Sequence, residues 1–354
     1  LAQRRARERI AEYKRLMAAL EADGKLDRAL EFLPSDEQLA ERIANGQALT
    51  RAELAVLISY SKIDLKESLL KSQVPDDEYL ARDMRTAFPP LLSEKFAEAM
   101  GRHRLKREIV STQIANDLVN HMGITFVQRM KESTGMSAAN VAGAYVIVRD
   151  VFRLPHWWQQ IEALDYQVPA ELQLTLMDEL MRLGRRTTRW FLRNRRTELD
   201  AARDVAHFAP RVEALAGRLD ELLDGPVREQ WLARFQGYVE AGTPEALARV
   251  VAGTSHLYTL LPIIEASDVT GQDPARVASA YFAVGGALDL TWYLQQITSL
   301  PVDNNWQGLA REAFRDDLDW QQRAITVSLL QMVDAPEDIE ARTALWLEQH
   351  AHLV

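Results

Sequence analysis

Helix punctuation recurs along this chain and limits what it can fold into more than any other feature. Ser35-Asp36-Glu37-Gln38 and Thr50-Arg51-Ala52-Glu53 both read as capping boxes. In each, the hydroxyl accepts from the backbone N–H at N3 and the N3 side chain reaches back to the cap. Thr243-Pro244-Glu245 and Asp273-Pro274 place an N-cap residue before a proline, whose missing donor costs nothing at the first helical position. Gly24, Gly46 and Gly225 fall where C-terminal caps are expected. β-Branched runs at period two with Asn-Gly-type turns are nearly absent.

Between these marks the apolar residues keep helical spacing. Leu54, Leu57, Ile58, Leu65 and Leu69 share one face of a helix of about 20 residues, and Leu176, Leu180, Leu183, Thr187 and Trp190 share another. Ala, Leu, Arg and Glu recur, while the 354 residues hold 16 Gly and 13 Pro, a balance that favours helix. The fold class expected is all-α, a multi-helix bundle, with an N-terminal helical segment over 1–100 and the bundle over 101–354.

One feature goes beyond periodicity. Residues 134–165 align without gaps to residues 270–301. The identical pairs include Thr134/Thr270, Gly135/Gly271, Ala142/Ala278, Tyr145/Tyr281, Leu154/Leu290 and Leu164/Leu300. Two copies of one helical unit are expected, near 115–225 and 250–333. Their small residues, Ala138 to Ala144 and Ala278 to Gly285, allow close helix approach. Trp157, Trp158, Trp292 and Tyr293 are expected to fill core at the far ends.

The net charge of −9 repels phosphate backbones, so nucleic acid is not an expected partner. With no cysteine, disulfides, thiolate catalysis and Cys-ligated metals are excluded, which fits a reducing, cytoplasmic setting. The most apolar stretches, Val141 to Val148 and Ala278 to Leu288, are shorter than the roughly 20 residues a bilayer requires, so no membrane partner is expected. The opening Leu-Ala-Gln-Arg-Arg has neither Met nor an apolar signal core and reads as the start of a piece of something longer.

No constellation for chemistry stands out, and catalytic, cofactor and metal residues are each read as none. There is no Gly-rich dinucleotide turn, no P-loop and no G-x-S-x-G. Gly253 and Gly285-Gly286 read as close-packing sites. His121, His156 and His256 read as hydrogen-bonded structural histidines, and His350 with His352 as a polar tail. Asp316-Asp317-Leu318-Asp319 reads as a solvated face, and Asp76-Asp77-Glu78 as a helix N-terminus favoured by the dipole. Arg4, Arg5, Arg7, Arg9, Lys14 and Arg15 are interleaved with Glu8 and Glu12, so i,i+4 pairing answers most of them. Arg182, Arg185, Arg186, Arg189, Arg193 and Arg196 form a denser group, with Arg185, Arg189 and Arg193 in one i,i+4 row. Something must answer these cations: acids of the same fold, another domain or subunit, or a small anion.

Leu49-Thr50-Arg51-Ala52-Glu53-Leu54-Ala55-Val56-Leu57-Ile58-Ser59-Tyr60-Ser61-Lys62-Ile63-Asp64-Leu65 and Ile114-Ala115-Asn116-Asp117-Leu118-Val119-Asn120-His121-Met122-Gly123-Ile124-Thr125-Phe126 resemble stretches of the large bacterial NAD-specific glutamate dehydrogenases. Residues 134–164 and 255–306 are similar as well. The resemblance implies a helical C-terminal region downstream of a catalytic core. That family couples oxidative deamination of L-glutamate, to 2-oxoglutarate and ammonia, to reduction of NAD. Its catalytic and NAD-binding motifs have no counterpart here, so the fragment alone is expected to be inactive and to hold no cofactor. The implied partners are the catalytic core and the other subunits of a homo-oligomer, with the arginine group as candidate interface. The competing readings are an independent all-α protein-interaction scaffold and a helical enzyme using the Asp316 cluster with a metal.

Overall fold

The structure, a computed structural model, describes residues 9–195, 199–223, 225–302 and 304–350, and among the described residues every regular element is helical. Backbone contacts divide the chain into two compact units, Leu1–Asp150 with Gly184–Val205, and Val151–Leu183 with Ala206–Val354. This grouping differs from a boundary placed near residue 100.

The first unit opens with α1 (Ile10–Ala22), α2 (Asp36–Ala44) and α3 (Arg51–Leu70). Both expected capping boxes are present: Ser35 Oγ accepts from Gln38 N, Thr50 Oγ1 from Glu53 N, and each N3 side chain returns to its cap. Gly24 and Gly46 follow α1 and α2 with φ of 66° and 64°, the left-handed conformation a C-terminal cap needs. Tyr13, Met17, Leu20, Leu39, Leu54 and Leu57 bury together as one apolar cluster. Short helices α4 (Glu78–Ala81), α5 (Pro90–Lys95) and α6 (Ala97–Gly101) follow, with Asp77 capping α4 at Tyr79 N and Leu80 N. Then come α7 (Lys106–Met122), packed on α3, and α8 (Phe126–Thr134) and α9 (Ala138–Val151).

The second unit holds α10 (Leu154–Glu162) and the first part of α11 (Ala170–Asn194), whose residues from Gly184 belong to the first unit. After α12 (Ala201–Gly217), α13 (Leu219–Leu222) and α14 (Gly225–Glu240) come α15 (Glu245–Ala252), α16 (Thr254–Leu257) and α17 (Leu260–Thr270). The chain ends in α18 (Pro274–Ala287), α19 (Leu290–Ser299), α20 (Asn305–Leu330) and α21 (Ile339–Gln349). α17 is the buried centre, with Leu260, Leu261, Ile263, Ile264 and Ala266 inaccessible, and both α18 and α20 pack on it. Arg342, on α21, closes the C-terminus of α20 by donating to Leu329 O and Leu330 O at 3.3 and 3.1 Å, satisfying carbonyls that the helix end leaves open. Among the described residues no single helix is long and apolar enough to cross a membrane.

Three expectations change in the structure. Gly225 is the first residue of α14, with φ 51°, rather than a C-terminal cap, because α13 has already ended at an extended Leu223. Pro244, not Thr243, is the N-cap of α15, whereas Asp273 caps α18 with Pro274 at N1 as expected. Trp292 and Tyr293 are about half exposed, so they do not fill core as Trp158 does. The segments expected to be related do share local geometry. Thr134 and Thr270 each end a helix before a left-handed glycine, Gly135 (φ 71°) and Gly271 (φ 67°), and Arg153 (φ 52°) and Asp289 (φ 49°) precede the next helix in each case.

Gly253 is a close-packing position: a Cβ there would lie 2.8 Å from Leu219 Cδ2 and 3.2 Å from Arg249 O. Gly253→Ala should therefore lower the stability of the second unit by about 1–3 kcal/mol. Gly286→Ala, in helix with nothing within 4 Å, should be neutral or stabilise by up to about 1 kcal/mol. Thermal melts of the two variants side by side check this, and equal effects would contradict the packing assignment.

Candidate functional site

Among the described residues a dense polar cluster surrounds Arg149, on α9, which is 6% exposed. Its Nη1 and Nη2 donate to Asp83 Oδ2 and Oδ1 at 2.6 and 2.9 Å, a two-pronged pair that matches the planar guanidinium fork. Nη1 also donates to Asp117 Oδ2 at 3.0 Å, and Nε to Asp150 Oδ1 at 3.1 Å. Asp83 stands on the 3-10 turn Arg82–Ala87, Asp117 on α7 and Asp150 beside Arg149 on α9. A second ring of contacts holds the acids. His121 Nδ1 lies 2.7 Å from Asp117 Oδ1, the Tyr79 hydroxyl donates to Asp150 Oδ2 at 3.0 Å, and Arg82 pairs with the same oxygen. Every residue of the cluster lies in the first unit.

Burial alone would raise the Asp117 carboxyl, but the His121 hydrogen bond and the Arg149 charge outweigh it and hold it below the ordinary value. Desolvation, and then the neighbouring Asp150 charge, push the Tyr79 phenol up to about 12. Burial likewise raises the Tyr145 phenol, which is wholly enclosed nearby. Arg149 is a permanent cation, and acids packed around it form ion pairs rather than an acid–base couple. The cluster is built to hold α7, α9 and the 82–87 turn in register. Sequence reading passed over it, although Arg149-Asp150 ending the apolar run of α9, and Asp117 and His121 one helical turn apart, are signals of buried charge.

The arginine group is distributed differently from a single exposed row. Arg182 is exposed, and its Nη1 donates to Glu179 Oε1 at 2.9 Å. Arg189 is only 7% exposed, with Nη1 3.4 Å from Ser133 O. Arg185, Arg186 and Arg193 are half-buried, and each has a contact within the chain. The reason is local: Thr187, Thr188, Phe191 and Leu192 are also buried, so this stretch of α11 is enclosed on most sides. Arg196 lies outside the described residues, as do Arg4, Arg5, Arg7 and His352.

Of the acidic candidates, Asp319 accepts from the Tyr258 hydroxyl at 2.7 Å and Asp317 is exposed. Among the described residues no three His, Cys, Asp or Glu side chains converge as a metal site would require.

Removing the central cation would leave buried carboxylates uncompensated. Arg149→Met should therefore cost about 3–5 kcal/mol in urea unfolding at neutral pH, and a loss under 1 kcal/mol would show that the cluster is not an essential brace. Asp117 gives the pH dependence. Because its folded pKa is depressed, its contribution is complete above the ordinary value of 3.8 and fades as pH falls through the lowered one. The stability gap between the parent chain and Asp117→Asn should be present at pH 7 and shrink in acid below that value. A gap that is constant across pH would refute the linkage.

Comparison with known proteins places these residues in context. The family described as "Glutamate dehydrogenase, C-terminal" matches residues 46–354, which include Asp83, Asp117, Arg149 and Asp150. The chain is 83% identical over 354 residues to the NAD-specific glutamate dehydrogenase of Pseudomonas aeruginosa, covering 100% of this chain and 22% of that protein. It is 49% identical over 350 residues to the protein of the same name from Halomonas elongata, covering 99% and 22%. To that from Mycobacterium tuberculosis it is 34% identical over 330 residues, covering 92% and 20%. The chain thus spans about a fifth of the length of the curated relatives it matches. With a match that takes in most of its length, including the whole Arg149 cluster, the chain belongs to the family of glutamate dehydrogenase C-terminal regions.

Proposed function

We propose that this chain is the non-catalytic, helical C-terminal part of an NAD-specific glutamate dehydrogenase and supports assembly of that enzyme's subunits. The observation that carries this reading is 83% identity across the full chain to a protein of that name of which it covers 22%. The relatives are named NAD-specific glutamate dehydrogenases; on this reading the whole protein would oxidise L-glutamate to 2-oxoglutarate and ammonia with reduction of NAD, in the cytoplasm. NAD and glutamate would be bound by the remainder of the polypeptide, and this part alone would be inactive. Its contribution is mechanical. A helical unit braced by buried ion pairs and another built on an apolar centre are each suited to fixing subunit position. Among the described members of the arginine group Arg182 is exposed, and a subunit contact would be made through it.

The test is the full-length protein against the same protein ended just before Leu1, with turnover and mass in solution both measured. The truncated form should keep NAD-dependent turnover per folded subunit and lose its assembled mass. Retained mass with lost turnover would instead make this region a support of the catalytic core. Arg182→Glu should weaken assembly mainly at low ionic strength, because an exposed charge acts through a screened field.

A further inference from the structure

A surface helix ordinarily turns polar and charged residues to water, and α20 also turns three aromatic rings that way. Trp306, Ala310, Phe314, Asp317, Trp320 and Ala324 follow one another at three- and four-residue steps and are all exposed. At 100° per residue they form a single stripe. Trp306 is 80% exposed and Trp320 59%, while Asp317 is the one charge among the exposed residues of α20. The helix packed beside it, α19, adds exposed Trp292 and Tyr293. Aromatic rings concentrated on one solvent face mark an interaction surface.

The matching segment earlier in the chain is covered along one side. Leu154, Trp158 and Ile161 of α10 are buried, whereas α19 has no buried residue. Leu164 is 5% exposed and its counterpart Leu300 42%. Within the second unit α10 meets α15, an amphipathic helix that turns Leu247, Ala248 and Val251 inward.

We infer that the exposed α19–α20 surface docks an amphipathic helix supplied by the part of the same polypeptide outside these 354 residues, with a cation opposite Asp317. This rests on the reading above that the chain is part of a longer enzyme. The supply is ample, since the relatives carry some four-fifths of their length elsewhere. A second copy of the chain fits worse. Asp317 lies midway along the stripe, so a twofold antiparallel pairing would face it with its own equivalent and bury two like charges without partners.

The experiment uses the full-length protein with Phe314 replaced by the photoreactive benzoylphenylalanine, assembled from mixed light- and heavy-isotope subunits. After irradiation, cross-linked peptides are identified by mass. The inference expects single-subunit, same-isotope adducts joining α20 to a helical segment outside these residues. It also expects at least a tenfold rise in adduct loss when Asp317→Lys is added, because that change repels the cation. Mixed-isotope adducts between two α20 segments would overturn it in favour of self-association. Absent adducts, with Trp306 and Trp320 quenched by acrylamide as freely as tryptophan in solution, would overturn it in favour of a bare surface. Truncation before Leu1 reads mass and turnover instead, so loss of the assembly role would leave these adducts in place, and their loss would leave the assembly role standing.

Discussion

A guanidinium that is 6% exposed cannot be left without carboxylates, because an isolated charge taken out of water costs far more than a small unit's whole stability. Arg149 therefore fixes its neighbours. Asp83, Asp117 and Asp150 must all arrive for the charge to be tolerated, and with them come the 82–87 turn, α7 and α9. Tyr79 and Arg82 in turn hold Asp150. Such a cluster gives little net stability over an apolar core of equal volume; its effect here is that the three segments have only one arrangement in which every partner is met.

At an offset of 136 residues, the alignment that suggests a repeat meets glycines in place of charges. Gly285-Gly286 stand where Arg149-Asp150 would be, and Gly253 where Asp117 would be. There the helices come close enough that a Cβ on Gly285 would lie 2.7 Å from Gln322 Nε2, and that amide donates to Tyr281 O at 2.9 Å. One segment is held by charge pairs, the other by backbone proximity, on closely similar helix boundaries. The Glu265–Arg323 pair between α17 and α20 and the Arg342 cap are among the polar contacts that fasten the later segment.

Much of the fold was legible because helix ends are written locally. Ser35, Thr50 and Asp273 announce their caps within four residues, and the Leu54–Leu69 face needs only the 3.6-residue period. Gly225 misled because a left-handed glycine can open a helix as well as close one. The Trp292-Tyr293 pair misled for a deeper reason. Whether a face is covered depends on residues far along the chain, and neither charge nor bulk specifies that. Arg189 is buried because neighbouring Thr188 and Leu192 are enclosed, and Trp292 is about half exposed although it is a large apolar ring. The Arg149 cluster was hidden for the same reason, since Asp83 and Arg149 are 66 positions apart. Function was legible only through long motif likeness, which the family match over residues 46–354 supports, because no catalytic pattern singles this chain out.

The central claim is that one buried cation organises the first unit, and native-state hydrogen exchange on Arg149→Lys tests it most directly. Lysine keeps the charge and loses the fork. The account predicts that amides of α7, α9 and the 82–87 turn lose protection together, by about two orders of magnitude if roughly 3 kcal/mol is forfeited, while α17 and α18 keep theirs. Loss confined to the 82–87 turn, with α7 and α9 unchanged, would contradict it.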